Sequence, residues 1–292
     1  MGEENRMSSV YHYKKLQNDL QALMNKYDFI KMNIIGKSVL GRDIYELRVG
    51  TGEKKIHFNA SFHANEWITT VVLMSWLEDR LIYISQLTNK NEYLKSIQLS
   101  IVPMVNPDGV ELIYAGKEAA FGLYDVARLN ENRADFYNWK ANIRGVDLNK
   151  QFPAKWTEYK ESIYCKEPYY RDYPGEEPLT EPEAIAMYEL VKQNDFYMLI
   201  GLHTQGNEFY WGYCGLEPPN AESIAREFEK VSGMKGIQNI ESHAGFRDWF
   251  ISEYQKPGFT LELGKGINPI PLSQLEEIKL RTFPVLDAAL YM

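Results

Sequence analysis

Six short runs rich in Ile, Val, Tyr, Leu and Phe constrain this chain more than any other feature: Phe29 to Ile35, Asp43 to Val49, Lys55 to Phe62, Gln98 to Val105, Phe196 to Leu202 and Gly258 to Leu263. Their length, composition and flanking turn residues read as β-strands. Helix-length segments separate them. Tyr13, Leu16, Leu20, Leu23 and Tyr27 recur at helical spacing, and Trp67 to Ile84 is long enough for a helix. Thr180-Glu181-Pro182-Glu183 and Ser273-Gln274-Leu275-Glu276 each set a hydroxyl and a glutamate three residues apart, as in a capping box. Pro284 predicts a kink in the last helix. Strands alternating with helices imply an α/β layered domain.

The stretch 114–179 breaks this pattern. It is rich in Asn, Tyr, Arg, Glu and Pro with little periodicity, and reads as a long surface excursion of the functional kind. Its tyrosines Tyr164, Tyr169, Tyr170 and Tyr173 read as packing within that excursion.

At 292 residues, with 45% hydrophobic and 25% charged side chains, the chain can bury a sizeable core. A formal net charge of −8 argues against a nucleic-acid partner. The start, Met1-Gly2-Glu3-Glu4-Asn5-Arg6, lacks the basic and apolar features of a secretory signal, and no run approaches a membrane span. Cys165 and Cys214 then read as free thiols, and the expected location is cytoplasmic, with no membrane partner.

Ligands of open α/β sheets gather beyond the carboxyl ends of the strands. His63 and Glu66 follow the third run, His203 follows the fifth, and Glu262 lies in the last. A lone His at a strand end is usually a satisfied core residue, and His-x-x-Glu alone is a weak motif. Together, however, His63, Glu66 and His203 form a His₂Glu set suited to catalytic zinc, with a fourth position left for water. Glu262, an acid in an otherwise apolar strand, is then free for acid/base work. His12 and His57 lack such company and read as surface or strand residues.

These residues resemble the M14 zinc carboxypeptidases across nearly the whole chain. The matching segments are Ile35 to Ser38 with Gly41-Arg42, His63 to Trp67, Asn106-Pro107-Asp108-Gly109, Arg144 to Asn149, the His203 loop, and Phe259 to Leu263. His63-Ala64-Asn65-Glu66-Trp67, Trp139-Lys140-Ala141-Asn142, His203 to Glu208 and Gly264 to Pro269 further resemble the bacterial γ-D-glutamyl-diaminopimelate peptidases, which cut peptidoglycan stem peptides.

The resemblance implies one catalytic domain over residues 1–292 without a LysM wall-binding module, folded as a three-layer α/β/α sandwich around a mixed, mostly parallel twisted sheet. It implies one zinc ion per chain and a small peptide or muropeptide as substrate. Lys140 stands where the digestive relatives polarise the scissile carbonyl with arginine. Asn149 and Lys150 stand where they hold a terminal carboxylate, although lysine lacks arginine's bidentate fork. Arg247 falls at the floor of the side-chain pocket, where it would favour a substrate carboxylate; the other reading is a structural ion pair with a neighbour such as Asp248 or Glu241. The family's mobile tyrosine has no evident counterpart, and His243 is the candidate replacement. Two rivals remain: a carboxypeptidase for α-linked peptides ending in an acidic residue, and a non-catalytic wall-fragment binder of the same fold. Oligomeric state is left open.

Overall fold

A computed structural model describes residues 10–292. In chain order the strands are β1 (Ile30–Lys37), β2 (Asp43–Gly50), β3 (Lys55–Ala60), β4 (Gln98–Val102), β5 (Phe196–His203), β6 (Glu208–Tyr210), β7 (Lys235–Ile237) and β8 (Gly258–Glu262). The helices are α1 (Tyr13–Lys26), α2 (Ile68–Gln86), α3 (Lys90–Ser96), α4 (Pro107–Ala115), α5 (Val126–Leu129), α6 (Trp156–Ser162), α7 (Pro182–Lys192), α8 (Ala221–Ser232), α9 (Phe246–Tyr254) and α10 (Leu275–Ala289).

The strands form one sheet in the order β1-β2-β4-β3-β5-β8-β6-β7. Its centre, β4-β3-β5-β8, is parallel, and antiparallel pairs flank it. Because strand side chains alternate between faces, Ile56, Phe58 and Ala60 join one core with α1, α2, α8 and α10. The other face carries Ile44, Val102 and Leu199, packed against α7 and α9. Helices therefore cover both faces, as the sequence implies.

Several local expectations are corrected. Strand β3 ends at Ala60 instead of Phe62, because Ser61 takes a left-handed φ of 50° and donates its N–H to Thr69 Oγ1 at 3.0 Å. Neither capping box forms. The Thr180 hydroxyl is given to Gln151 Oε1 at 3.1 Å, and Ser273 lies inside a 3₁₀ turn ahead of α10. The stretch 114–179 is only partly superficial, since Trp139, Ile143, Leu148 and Phe152 are fully buried in the two cores. His57 is a buried strand residue 3.0 Å from Ser100 Oγ, and burial pushes its pKa down to about 3. His12 stacks on Tyr114. Among the described residues no helix is long and apolar enough to cross a membrane, and Cys165 and Cys214 are unpaired.

Candidate active site

The left-handed turn at Ser61 redirects the chain at the end of β3, and a 3₁₀ turn over Ala64–Glu66 then carries Glu66 back beneath His63. His203 is the last residue of β5, one strand away. The three side chains meet and are buried. His63 Nδ1 lies 2.9 Å from Glu66 Oε1, His203 Nδ1 lies 3.0 Å from Glu66 Oε2, and the two Nδ1 atoms face each other at 3.2 Å.

Two imidazole nitrogens and a carboxylate at that spacing fit one cation. Tetrahedral zinc with nitrogen ligands at roughly 2.0–2.1 Å sets its donor atoms about 3.3 Å apart. Among the described residues this is the one group of three or more His, Cys, Asp or Glu with metal-site spacing.

Charge is organised around the group. Burial opposes ionisation of Glu66, but His63 and His203 hold its carboxyl down at about 2. Burial likewise works against a charged His63, and Glu66 and Asp147 outweigh it, raising its pKa to about 9. His203 is shifted down, with burial the largest cause.

Asp147 is a residue that sequence reasoning missed. Its Oδ1 lies 3.2 Å from His63 Nε2 and accepts the Asn149 N–H at 3.0 Å, while its Oδ2 lies 2.8 Å from Lys140 Nζ. A carboxylate on the outer nitrogen of a metal-binding imidazole fixes its tautomer and orientation. The available signal was an acid at the centre of the apolar segment Val146-Asp147-Leu148, where an unpaired charge is costly. Burial disfavours its charge, yet Lys140 and His63 hold the Asp147 carboxyl well below the usual range.

Lys140 and Glu262 share with His63 and Glu66 a cavity of ≈ 410 Å³, rimmed by Asn138, Arg171, Gln205, Tyr210 and Ile267. Burial lowers the Lys140 pKa, but Asp147 and Asp172 more than compensate and keep it cationic. Glu262 is pushed up to about 8 by burial and by Glu66. A carboxyl near neutrality at the cavity wall is suited to exchanging protons.

Asn149, Lys150, His243 and Arg247 form a second group beside the cavity lining. Asn149 Oδ1 accepts the Phe246 N–H at 3.0 Å. Lys150 Nζ donates to Ser242 Oγ and the His243 carbonyl, both at 3.0 Å, and lies 4.4 Å from the centre of the Tyr159 ring. Burial is the main cause of its lowered pKa. His243 Nδ1 lies 3.1 Å from the Tyr213 hydroxyl, outside the cavity lining, so the tyrosine bordering the metal group is Tyr210, which sequence reasoning did not single out. Arg247 is buried against Asp248, its guanidinium 5.8 Å from the Tyr210 ring centre, and its Nη1 has no partner. Tyr210 thus joins the two groups.

Comparison with known proteins agrees with this geometry. Residues 16–283 match the family model described as zinc carboxypeptidase. The chain is 47% identical to protein YqgT of Bacillus subtilis (strain 168), over 97% of this chain and 77% of that one. It is 44% identical to γ-D-glutamyl-L-diamino acid endopeptidase 1 of Lysinibacillus sphaericus, over 97% and 72%. Bovine thrombin-activatable fibrinolysis inhibitor shares the fold at a TM-score of 0.76 and 19% identity, with 98% of each chain covered. A non-catalytic binder is set aside, because both the family and the named relative are peptidases. This chain belongs to the M14 zinc carboxypeptidase family and is a zinc-dependent peptidase.

Proposed function

We propose that the enzyme hydrolyses the amide between γ-D-glutamate and a diamino acid, diaminopimelate in particular, in peptidoglycan stem peptides or muropeptides. The observation that carries this reading is the buried guanidinium of Arg247 with one unspent nitrogen beside Tyr210, which suits a substrate side chain ending in carboxylate. The 44% identity to a γ-D-glutamyl-L-diamino acid endopeptidase supports it.

His63, Glu66 and His203 would hold the zinc ion, which supplies a Lewis acid and lowers the pKa of water. Glu262 takes the proton from the attacking water and returns it to the departing amine. Lys140 faces the scissile carbonyl and stabilises the charge that develops on its oxygen. Asp147 holds His63 and Lys140 in register, and Asn149 helps fix the substrate.

Strict carboxypeptidase action on α-linked peptides is the weaker reading. Lys150, the residue for a terminal carboxylate, is a lysine already engaged by Ser242, the His243 carbonyl and the Tyr159 ring. We place the enzyme in the cytoplasm, a location in keeping with its two unpaired thiols. Rates on L-Ala-γ-D-Glu-diaminopimelate and on α-linked peptides with acidic ends decide between the readings, and exclusive α-peptide cleavage refutes the proposal.

A further inference from the structure

We infer that Asp172 is a positioning residue that holds the Lys140 ammonium at the cavity wall, an inference that rests on Lys140 facing the scissile carbonyl. The segment carrying Asp172 is laid along the site by main-chain bonds. The N–H groups of Lys140 and Ala141 both donate to the Tyr170 carbonyl, at 2.9 and 3.0 Å, and the Asp147 N–H donates to the Tyr173 carbonyl at 2.7 Å. Between these anchors Asp172 adopts a left-handed φ of 66°, a conformation non-glycine residues seldom take. Its Oδ1 accepts from Lys140 Nζ at 2.8 Å, and its Oδ2 accepts from Arg171 Nε at 2.8 Å.

Lys140 therefore lies between two carboxylates of different character. Asp147 is fully buried against His63, whereas the Asp172 side chain is 42% exposed and hangs from the segment whose Arg171 lines the cavity. Asp147 alone would draw the ammonium toward His63. Asp172 opposes that pull, leaving at least one of the three ammonium donors for a substrate oxygen. Lysine is a point charge on a flexible stem, without the pre-organised fork of arginine. An outside carboxylate supplies the missing orientation, and orientation governs the chemical step more than substrate affinity.

The test uses zinc-loaded full-length enzyme and L-Ala-γ-D-Glu-diaminopimelate. Asp172→Asn is the clean variant, because asparagine tolerates the left-handed backbone and only the charge is lost. Its kcat is expected to fall on the order of 10–100-fold, with KM changed less than about twofold and with zinc content and Tm unchanged. The ¹⁵N signal of the Lys140 ammonium is expected to be observable in the parent and to broaden or vanish in the variant. In a Lys140→Met background, Asp172→Asn is expected to cost nothing further. If Lys140→Met leaves kcat intact, the role of Lys140 itself fails. If Lys140→Met is slow while Asp172→Asn matches the parent, the inference about Asp172 alone fails. A parallel fall in zinc content and Tm in Asp172→Asn makes the residue merely structural and also overturns it.

Discussion

His203 and Glu262 are register partners on the adjacent parallel strands β5 and β8. Partners in register on a parallel pair project from the same face of the sheet, so one metal-set residue and the acid/base candidate are neighbours at one sheet edge. The ladder also ties Glu262 to Glu208 across β6. A site fixed by strands holds its geometry better than one borne on loops.

The division of labour makes a first prediction. Glu262→Gln keeps zinc stoichiometry and Tm while kcat falls by about 10²–10⁴. Metal analysis, thermal unfolding and steady-state kinetics on one preparation check it, and parental turnover in the variant refutes the base assignment.

Asp147 touches His63 on the side away from Glu66. Asp147→Asn is therefore expected to weaken zinc binding by roughly 10–100-fold. Competition against a chromophoric chelator measures this. Unaltered zinc affinity means that Asp147 does not orient the imidazole.

The unspent Arg247 nitrogen predicts selectivity. In Arg247→Gln, kcat/KM for a diaminopimelate tripeptide falls about 10–100-fold, in line with loss of a charge-assisted hydrogen bond. The lysine-containing analogue, which lacks the second carboxylate, is expected to lose less than about threefold. Equal losses remove Arg247 from the substrate pocket.

A pH dependence arises away from the metal group. Glu183 is fully buried and accepts the Val39 N–H at 3.1 Å; burial first, then Asp108, pushes its pKa up to about 8. The folded chain thus holds this proton to higher pH than the unfolded chain does. The resulting stability is full below the ordinary glutamate pKa of about 4.3 and is lost as pH rises toward 8. Glu183→Gln mimics the protonated form, so its Tm gain over the parent is larger at pH 8 than at pH 5. An equal difference at both pH values contradicts the buried-proton account.

Much of the site was legible because chemistry-bearing residues followed apolar strands. His63, His203 and Glu262 announced themselves as polar groups where β3, β5 and β8 end. Contacts made by irregular backbone were not legible. Asp147 and Tyr210 reach the site from a loop and from a three-residue strand, neither of which has a periodic signature. Ser61 ended β3 early through a left-handed turn, a conformation that neighbouring contacts impose and propensity does not reveal. The Thr180 capping box failed for a related reason, since a tertiary partner, Gln151, took the Thr180 hydroxyl.

The central claim is that a zinc ion held by His63, Glu66 and His203 serves hydrolysis of a γ-D-glutamyl amide. Mass spectrometry of a defined muropeptide incubated with the purified enzyme tests it most directly, with parallel samples containing chelator and chelator followed by excess zinc. The account predicts products split between D-glutamate and diaminopimelate, none under chelator, and recovery once zinc is restored. An intact γ-D-glutamyl bond with zinc present, or cleavage that persists under chelator, contradicts it.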